Sequence, residues 1–308
     1  MIPAIAVCIA SHERPVRLRW LLNALEEQTL GDVEVVVCHD SRGEATERLL
    51  ATHPLARRGA LRHHRLPPGT GSAARQRNVA WRAATAPLVA LTDDDCRPPA
   101  DWLERLAAAA RPGAIVQGAT RPDPDELALL ERDGAARSLR VEPPTAWGET
   151  SNIAYPRELL ERVGGFDEAF RACEDTDLLQ RALATGAPLV AAPDAVTYHA
   201  VAVRGTRASW RWEETAHVVK RHPGLRAAFP LRVFWKPRHA RLALAVAGLA
   251  VRRPALAVPW ALAALPSYGR TPRGLARAVC ELPREALHDA AEMAAVGRGA
   301  VRHRTVVL

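Results

Sequence analysis

The feature that most constrains the fold is a series of short apolar runs that alternate with helical patterns over the first two hundred residues. IAVCIA (5–10), VEVVVCH (33–39) and LVALTD (88–93) are rich in Val, Ile and Ala and are nearly continuous in their apolar character. Such runs are typical of parallel strands that are covered on both faces. The sequence therefore predicts a parallel sheet within an α/β fold.

Helical segments separate these strands. PVRLRWLLNALEEQ (15–28) starts with a proline suited to a first helical turn, and SAARQRNVAWRAA (72–84) has Ser72 as a capping residue. Strand–helix–strand units of this length are right-handed, and their ligand sites lie at the carboxyl ends of the strands. Further strands are expected at 114–121, 151–156 and 189–199, and a further helix at 174–186.

Length, cysteine content and charge exclude several classes of protein. The 308 residues allow one large domain or a domain with an appendage. The five cysteines are scattered and form no CxxC pair, which argues against a disulfide framework or a zinc site and favours a reducing cytosol. We see no secretion signal and expect a cytoplasmic protein.

Residues 1–202 carry a net charge of −5 and residues 203–308 a net charge of +13, so nucleic-acid binding by the whole chain is not supported.

Three consecutive aspartates, Asp93, Asp94 and Asp95, come where the third apolar run ends. A solvated acidic turn is one interpretation. The other follows from their position at the ligand edge of a sheet, where carboxylates that repel one another are stabilised by a hard divalent cation. Mg²⁺ or Mn²⁺ held by carboxylates normally also holds substrate phosphates, so this interpretation predicts a metal-bound nucleoside diphosphate.

Other segments add polar groups at the expected sheet edge. Asp40 ends the second strand, and PPGTGSAARQRN (67–78) is a Gly-rich loop that leads into a helix N-terminus, where anions are attracted. Glu174, Asp175 and Asp177 start a further helix. These acids either complement the helix dipole or take part in chemistry.

Six segments, taken together and in order, resemble a family 2 glycosyltransferase of the GT-A fold. They cover about residues 3–200, and they are SHERP, the Asp after the second strand, GTGSAARQRN, LVALTDDD, GETSNIAYPRELLERVGGFDEAF and CEDTDLLQRA. The resemblance implies a GT-A (Rossmann-like), mostly parallel sheet sandwiched by helices, with a helical C-terminal extension. It also implies an inverting, metal-dependent enzyme that uses a nucleotide sugar, by default a UDP-sugar, with Mn²⁺ or Mg²⁺.

The resemblance also implies roles for individual residues on the donor side. Asp93 and Asp95 are the two ends of the DXD motif; Asp95 binds the metal, and Asp93 faces the nucleoside and also contacts the metal. Asp40 contacts the base, although His39-Asp40-Ser41 stands where relatives often carry two acids and a glycine. The nucleotide-sugar site as a whole is assigned to Ser11, Arg14, Asp40, Arg77, Asn78, Asp93 and Asp94.

On the acceptor side, the resemblance implies that Asp175 is the general base, with Glu174 beside it. We expect Asp175 to stay ionised because it lies at a helix N-terminus. Asn152 and Asp177 are assigned to the acceptor, which is a hydroxyl of a cell-surface polysaccharide, a lipid-linked glycan or a small molecule such as a secondary metabolite. His199 is either a further metal ligand or a hydrogen-bonded structural residue.

We divide the chain into a glycosyltransferase domain, 1–203, and a basic, mostly helical extension, 204–308. Trp210, Trp212 and Trp235 lie among arginines there, and two apolar pieces, 242–251 and 255–266, are each shorter than the ~20 residues that span a bilayer. Three interpretations stay open for this extension: a packed helical appendage, an interfacial membrane element, or a hairpin that dimerises with a second copy.

Two other functions compete with glycosyl transfer. A nucleotidyltransferase that acts on sugar phosphates also places acids and a metal at parallel strand ends, but its Gly-rich loop should directly follow the first strand, where this chain has SHERP. A non-catalytic, membrane-associated scaffold with a degenerate glycosyltransferase fold has no reason to retain carboxylates that repel one another.

Overall fold

The computed structural model describes residues 4–132, 136–203, 211–264 and 272–308. They form two compact units. The N-terminal unit comprises the chain up to Pro124 together with Ser138–Ala200, and the C-terminal unit comprises Asp125–Arg137 and Val201–Leu308. The sequence contained no signal that Asp125–Arg137 would join the C-terminal residues.

The N-terminal unit is built on an eight-stranded sheet of order β3-β2-β1-β4-β8-β6-β9-β5. Neighbours in the run β3-β2-β1-β4 are parallel, as are β6 and β9, whereas β8 and β5 run antiparallel to their neighbours. The strands are β1 (Ile5–Ser11), β2 (Val33–His39), β3 (Leu61–Arg65), β4 (Leu88–Asp93), β5 (Cys96–Arg97), β6 (Ile115–Pro122), β7 (Ala136–Arg137), β8 (Ile153–Pro156), β9 (Leu189–His199) and β10 (Ala202–Val203); β7 and β10 pair with each other in the C-terminal unit.

Helices cover both faces of this sheet because alternate strand residues point to opposite sides. Ile5, Val7 and Ile9 pack with Leu18 and neighbouring helical residues on one face, while Ala6 and Cys8 pack on the other. The helices of the N-terminal unit are α1 (Pro15–Glu26), α2 (Glu44–Thr52), α3 (Pro54–Arg57), α4 (Ala73–Ala83), α5 (Trp102–Ala109), α7 (Arg157–Val163) and α8 (Glu174–Ala184).

The strands and helices predicted from the apolar runs are confirmed, with bounds that differ by a few residues at most. The Ser72 side chain accepts a hydrogen bond from the Arg75 backbone N–H, as expected of a helix cap. The predicted α/β, GT-A-like sheet is confirmed as well. The elements that sequence reasoning missed include β3, whose residues LRHHR have little apolar character, and the short α2, α3 and β5.

The C-terminal unit is mainly helical. It contains α6 (Leu127–Arg132), α9 (Glu213–Arg221), α10 (Pro237–Ala250), α11 (Val258–Ala264) and α12 (Pro272–His303). Three buried acids of α12, Glu285, Asp289 and Glu292, bind the cationic side chains of the segment that leads into α10 and of its first turn. In the described part of the chain, no helix is both long and apolar enough to cross a membrane.

The tryptophans expected to lie among arginines have partners inside this unit. The Trp212 and Trp235 rings are 4.3 Å apart, and the Lys236 ammonium lies over both. The Trp260 indole N–H donates to the buried Asp289 at 2.9 Å. Trp210 lies outside the described residues. The described aromatic rings therefore stabilise the unit itself.

Candidate functional site

Two carboxylates and a histidine converge at the carboxyl edge of the sheet. Asp93 is the last residue of β4, and the short β5 pairs with the end of β9 so that Cys96 lies opposite His199. His199 Nε2 is therefore 3.5 Å from Asp95 Oδ1. One ligand atom from each of Asp93, Asp95 and His199 lies within 4.8 Å of the other two. Two carboxylates and an imidazole at this spacing fit a divalent cation such as Mn²⁺.

The orientation of His199 favours metal binding through Nε2. The residue is buried, and its Nδ1 lies 2.8 Å from the Ala200 backbone oxygen. Because a carbonyl oxygen only accepts, we assign the hydrogen to Nδ1, which leaves the Nε2 lone pair on the side of Asp95. A backbone carbonyl that fixes the imidazole in this way is typical of metal-binding histidines. The role of His199 as a ligand stays a prediction.

Two arginines reduce the repulsion among the three aspartates. Arg14 Nη1 donates to Asp94 Oδ1 at 3.1 Å and to Asp95 Oδ2 at 2.7 Å, and Arg77 Nη2 donates to Asp93 Oδ1 at 2.8 Å. Asp93 Oδ2 and Asp95 Oδ1 are not used by these ion pairs. The acids are thus held apart by cations, and each outer aspartate keeps one oxygen that could bind a metal.

Asp94, the middle residue of the motif, is turned into the protein. It is buried, and its Oδ2 accepts a hydrogen bond of 2.7 Å from Ser11 Oγ at the end of β1. Burial is the main reason that the pKa of Asp94 is raised to about 6, and the Arg14 guanidinium acts in the opposite direction. Ser11 and Asp94 were both predicted to bind the donor. That role stays a prediction; in the structure their side chains bind each other and connect β1 to β4.

Asp40 links the end of β2 to the Gly-rich loop. Its buried carboxylate accepts hydrogen bonds from the Gly71 backbone N–H (3.0 Å) and Gln76 Nε2 (2.8 Å), and His12 Nδ1 lies 2.6 Å away. A Cβ on Gly71 would lie 2.9 Å from the Asp40 carboxylate, so only glycine allows this approach. His12 is exposed; it is the partner whose movement would free Asp40 for the predicted contact with a base.

Arg77 connects the two groups of acids. Its Nη1 donates to Glu174 Oε1 at 2.7 Å, on α8, while its other arm holds Asp93. The guanidinium is buried and also faces the Phe166 ring at 5.8 Å. The sequence placed Arg77 among the donor-binding residues, and the structure brings it between the acids of β4 and α8.

The family model for glycosyl transferase family 2 matches residues 6–167, which contain the sheet edge, the Gly-rich loop and the three aspartates. The chain belongs to this family.

The relatives and structural neighbours of this family 2 protein agree with that result. It is 26% identical to validoxylamine A glucosyltransferases from two subspecies of Streptomyces hygroscopicus, jinggangensis (strain 5008) and limoneus; each match covers 61% of this chain, and 53% and 49% of the respective relatives. The chain thus spans about half the length of the curated relatives it matches.

Among solved structures, a mannosyltransferase (PcManGT) from Pyrobaculum calidifontis in complex with GDP-Man and Mn²⁺ has a TM-score of 0.57 and 23% identity, covering 99% of this chain and 88% of that one. S. aureus TarS 1–349 in complex with UDP-GlcNAc has a TM-score of 0.56 and 16% identity, covering 99% and 93%. The fold is therefore the GT-A fold.

Asp175, the predicted general base of this family 2 protein, lies in the first turn of α8. Its Oδ1 accepts a hydrogen bond of 2.8 Å from the Thr176 backbone N–H. Burial, followed by the neighbouring Glu174 carboxylate, raises the pKa of Asp175 well above its usual range, although Arg77 lowers it. Burial thus shifts the pKa of Asp175 in the direction opposite to the one expected from its place at a helix N-terminus.

The Asn78 side chain has different partners from those of its neighbour Arg77. Its side chain donates to the Phe166 backbone oxygen and to Glu168, and its Oδ1 accepts from the Phe166 N–H and the Trp81 indole. The side chain is buried with all of these partners. Asn78 therefore holds the loop between α7 and α8, and its predicted donor contact stays a prediction.

The side chains of Asn152 and Asp177 also bind partners inside the N-terminal unit. Asn152 Nδ2 donates to the backbone oxygens of Ala119 and Ala195, and its Oδ1 accepts from the Trp102 indole. Asp177 is fully buried and forms an ion pair of 2.8 Å with Arg181, one turn later on α8. Their predicted contacts with the acceptor stay a prediction.

Sequence reasoning missed Gln76, His12 and Glu149. Gln76 and His12 complete the contacts of Asp40. Glu149 accepts hydrogen bonds from Thr145 Oγ1 (2.5 Å) and Gln117 Nε2 (2.9 Å), and its charge contributes to the raised pKa of Asp175. The available signal for Glu149 was its place within GETSN, one of the segments that carry the resemblance, three residues before Asn152.

Proposed function

We propose that this family 2 protein transfers a sugar from a nucleoside-diphosphate sugar to a hydroxyl acceptor, that it depends on Mn²⁺ or Mg²⁺, and that it inverts the anomeric carbon. The observation that carries the proposal is the ion-pair chain from Asp93 through Arg77 to Glu174. This chain of ion pairs supports a metal site that includes Asp93 and a general base, Asp175, that follows Glu174 in the sequence.

Asp93, Asp95 and His199 would hold the cation, since their free ligand atoms converge. A bound divalent cation neutralises negative charge that develops on the leaving diphosphate. Arg14 supports the same region; its side chain is 52% exposed, so it can move from Asp95 towards a phosphate. Asp40 and the Gly71 loop are proposed to receive the nucleoside.

Asp175 is proposed to accept the proton of the acceptor hydroxyl. As that oxygen forms its bond to the anomeric carbon, the bond from this carbon to the diphosphate oxygen breaks, and the diphosphate leaves with the electron pair. A single displacement of this kind inverts the anomeric centre. The raised pKa of Asp175 suits a base, because proton transfer is most efficient when the pKa of the base lies near the working pH.

We propose a UDP-sugar as the donor and a polysaccharide, lipid-linked glycan or small-molecule hydroxyl as the acceptor. Support for a nucleotide sugar with a metal comes from the mannosyltransferase neighbour in complex with GDP-Man and Mn²⁺ and from the TarS neighbour in complex with UDP-GlcNAc. The curated relatives are named as glucosyltransferases, which favours glucose as the first sugar to test.

We further propose that residues 1–203 are the transferase domain and that the protein works in the cytoplasm, with residues 204–308 in peripheral contact with a membrane. The basic excess of the chain lies in that second segment. Because anionic lipid attracts exposed Lys and Arg, this charge supports the placement.

A donor screen by thermal denaturation tests the proposed function. Nucleotide sugars are compared at equal concentration with Mn²⁺ and with EDTA. A ligand at about 100 times its Kd stabilises the fold by about 2.7 kcal/mol, so a true donor raises the Tm by several degrees only when Mn²⁺ is present. Calorimetric titration with UDP and GDP then gives the affinities.

The alternatives have different results in the same experiments. Absent or metal-independent nucleotide binding would support a non-catalytic scaffold. Release of pyrophosphate from a nucleoside triphosphate and a sugar 1-phosphate would support a nucleotidyltransferase.

A further inference from the structure

The α10–α11 hairpin, which we define as residues 237–264, carries apolar side chains on both its inner and its outer sides. On the inner side, Leu242, Ala245 and Trp260 form a buried apolar cluster. Surface helices normally turn apolar residues inwards and charged residues outwards. Here Arg238 and His239 in the first turn of α10 point inwards and bind the acids of α12: Arg238 pairs with Glu285 and Asp289, and His239 Nε2 lies 3.3 Å from Glu292.

The outward face of the hairpin is aliphatic. Its side chains are between 43% and 60% exposed, and they are Leu244, Val246 and Leu249 on α10 and Val258 and Leu262 on α11. Val251, at the end of α10, is 64% exposed. Exposed aliphatic side chains concentrated in so short a segment favour a surface that meets another molecule or a membrane.

Positive charge surrounds this aliphatic face. Arg252 and Arg253 lie in the turn between the helices and Arg241 lies on α10; all three are exposed, and within the described chain their side chains form no ion pair or hydrogen bond. No Asp or Glu occurs between Glu214 and Glu281, a stretch that contains 12 Lys and Arg residues. The acids nearest to the hairpin, on α12, are buried and already paired.

A second copy of the chain fits this face poorly. In a two-fold symmetric dimer the same patch meets itself, so the arginines of the turn would approach arginines without any acid nearby. An anionic lipid surface satisfies both features at once, because the acyl boundary takes the aliphatic side chains and the phosphates take the guanidinium groups.

We propose that the α10–α11 hairpin binds in the headgroup region of an anionic bilayer, with Leu249 and Leu262 at the acyl boundary and Arg252 and Arg253 on lipid phosphates. The inference gives a surface and a lipid class to the peripheral contact proposed above. It does not depend on sugar transfer.

Vesicle flotation with the full chain tests this proposal. Vesicles contain either phosphatidylcholine alone or phosphatidylcholine with phosphatidylglycerol. We expect the protein to float with the anionic vesicles, and less so as salt is raised, because screening weakens the contribution of exposed charges. Two variants each reduce the partition coefficient by about tenfold or more: Leu249→Ser with Leu262→Ser, and Arg252→Gln with Arg253→Gln.

A matched control removes equally exposed apolar groups elsewhere. Val16→Ser with Val301→Ser changes two side chains that are 63% and 81% exposed outside the hairpin, and it is expected to float like the wild type. Unchanged Tm and Mn²⁺-dependent nucleotide binding show that the hairpin variants fold, and they separate this proposal from the proposed transfer activity. Flotation that is equal in wild type and hairpin variants, or absent in both, would overturn the proposal. A dimer that is lost only in the hairpin variants, without flotation, would assign the face to a second copy instead.

Discussion

Arg77 and Glu174 form a buried ion pair of 2.7 Å although 97 residues separate them in the chain. The second arm of the same guanidinium binds Asp93 at 2.8 Å. A single side chain of α4 therefore joins the acid at the end of β4 to the acid that starts α8. Arg77 therefore connects the candidate metal site, through Asp93, to Glu174, which precedes the candidate base Asp175.

We expect Arg77→Met to destabilise the protein by about 3–5 kcal/mol, because it leaves the buried Glu174 and the partly exposed Asp93 without their cation. Thermal or urea denaturation measures the effect. Arg75→Met is the matched control, since Arg75 lies on the same helix but is exposed, and its loss should have little effect. Equal stability of the two variants would show that the ion-pair chain is not important for the fold.

Asp175→Asn should retain Mn²⁺-dependent donor binding and lose most of the transfer to an acceptor, by about 10²–10⁴-fold, the usual contribution of a positioned base. Asp32→Asn, at an exposed position, is the control. Undiminished transfer by the Asp175 variant would exclude Asp175 as the base.

The pH profile of transfer tests the raised pKa of Asp175. A general base must be ionised, so kcat should rise with pH and level off above the pKa of Asp175 in the complex. Because burial and Glu174 raise that pKa, we expect the rise to occur well above pH 4, where ordinary carboxylates titrate. A profile that is flat from pH 5 upwards would contradict the assignment.

The same pKa shift predicts a gain in stability for Asp175→Asn. When a carboxyl has a higher pKa in the folded than in the unfolded state, the folded state binds more protons, so stability is lost as pH rises from about 4 through the folded pKa. The variant has no such loss. It should therefore be more stable than the wild type at pH 8 and less so, or equally stable, at pH 4, as measured by urea denaturation at both values. A constant difference would contradict this origin.

The apolar runs were sufficient to predict the strands because a strand buried on both faces has an almost continuous apolar sequence, as β1, β2 and β4 have. β3 escaped prediction for the opposite reason, since its outer position in the sheet leaves LRHHR mostly polar. The inward charges in the first turn of α10 were also hidden, because a periodic pattern does not reveal which face of a helix points inwards.

The sequence was sufficient to predict the acidic residues of the candidate site, but not the hydrogen bonds and ion pairs that connect polar side chains around it. Asp93 and Asp95 were singled out by their place after an apolar strand, whereas Asp175 and Glu174 were given roles by the resemblance to the family. Which polar side chains point away from the site depends on tertiary contacts: Asn78 has the loop at Phe166 as its partner, and Asn152 has the backbone of β6. The spacing of Asp177 and Arg181 was the one local signal of an internal ion pair.

Gly71→Ala should weaken nucleoside binding without changing the binding of Mn²⁺ alone. The new Cβ would lie 2.6 Å from Gln76 Nε2 and 2.9 Å from the Asp40 carboxylate, so Asp40 must move. Gly43→Ala is the matched control, because no heavy atom lies within 4 Å of the corresponding Cβ. Calorimetric titration with UDP measures the effect, and equal affinities in both variants would exclude Asp40 from the nucleoside site.

The metal site makes the most direct prediction. His199→Gln should weaken Mn²⁺ binding by at least about tenfold, and Asp95→Ala should abolish Mn²⁺-dependent donor binding, because each removes a ligand atom from the cluster at the edge of β4. His64→Gln, in the exposed part of β3, is the control for the loss of an imidazole. Electron paramagnetic resonance of free Mn²⁺ gives the affinity without any need for an acceptor. If His199→Gln binds Mn²⁺ like the wild type while Asp95→Ala does not, the hydrogen bond to Ala200 marks His199 as a structural residue, and the cation is held by the carboxylates alone.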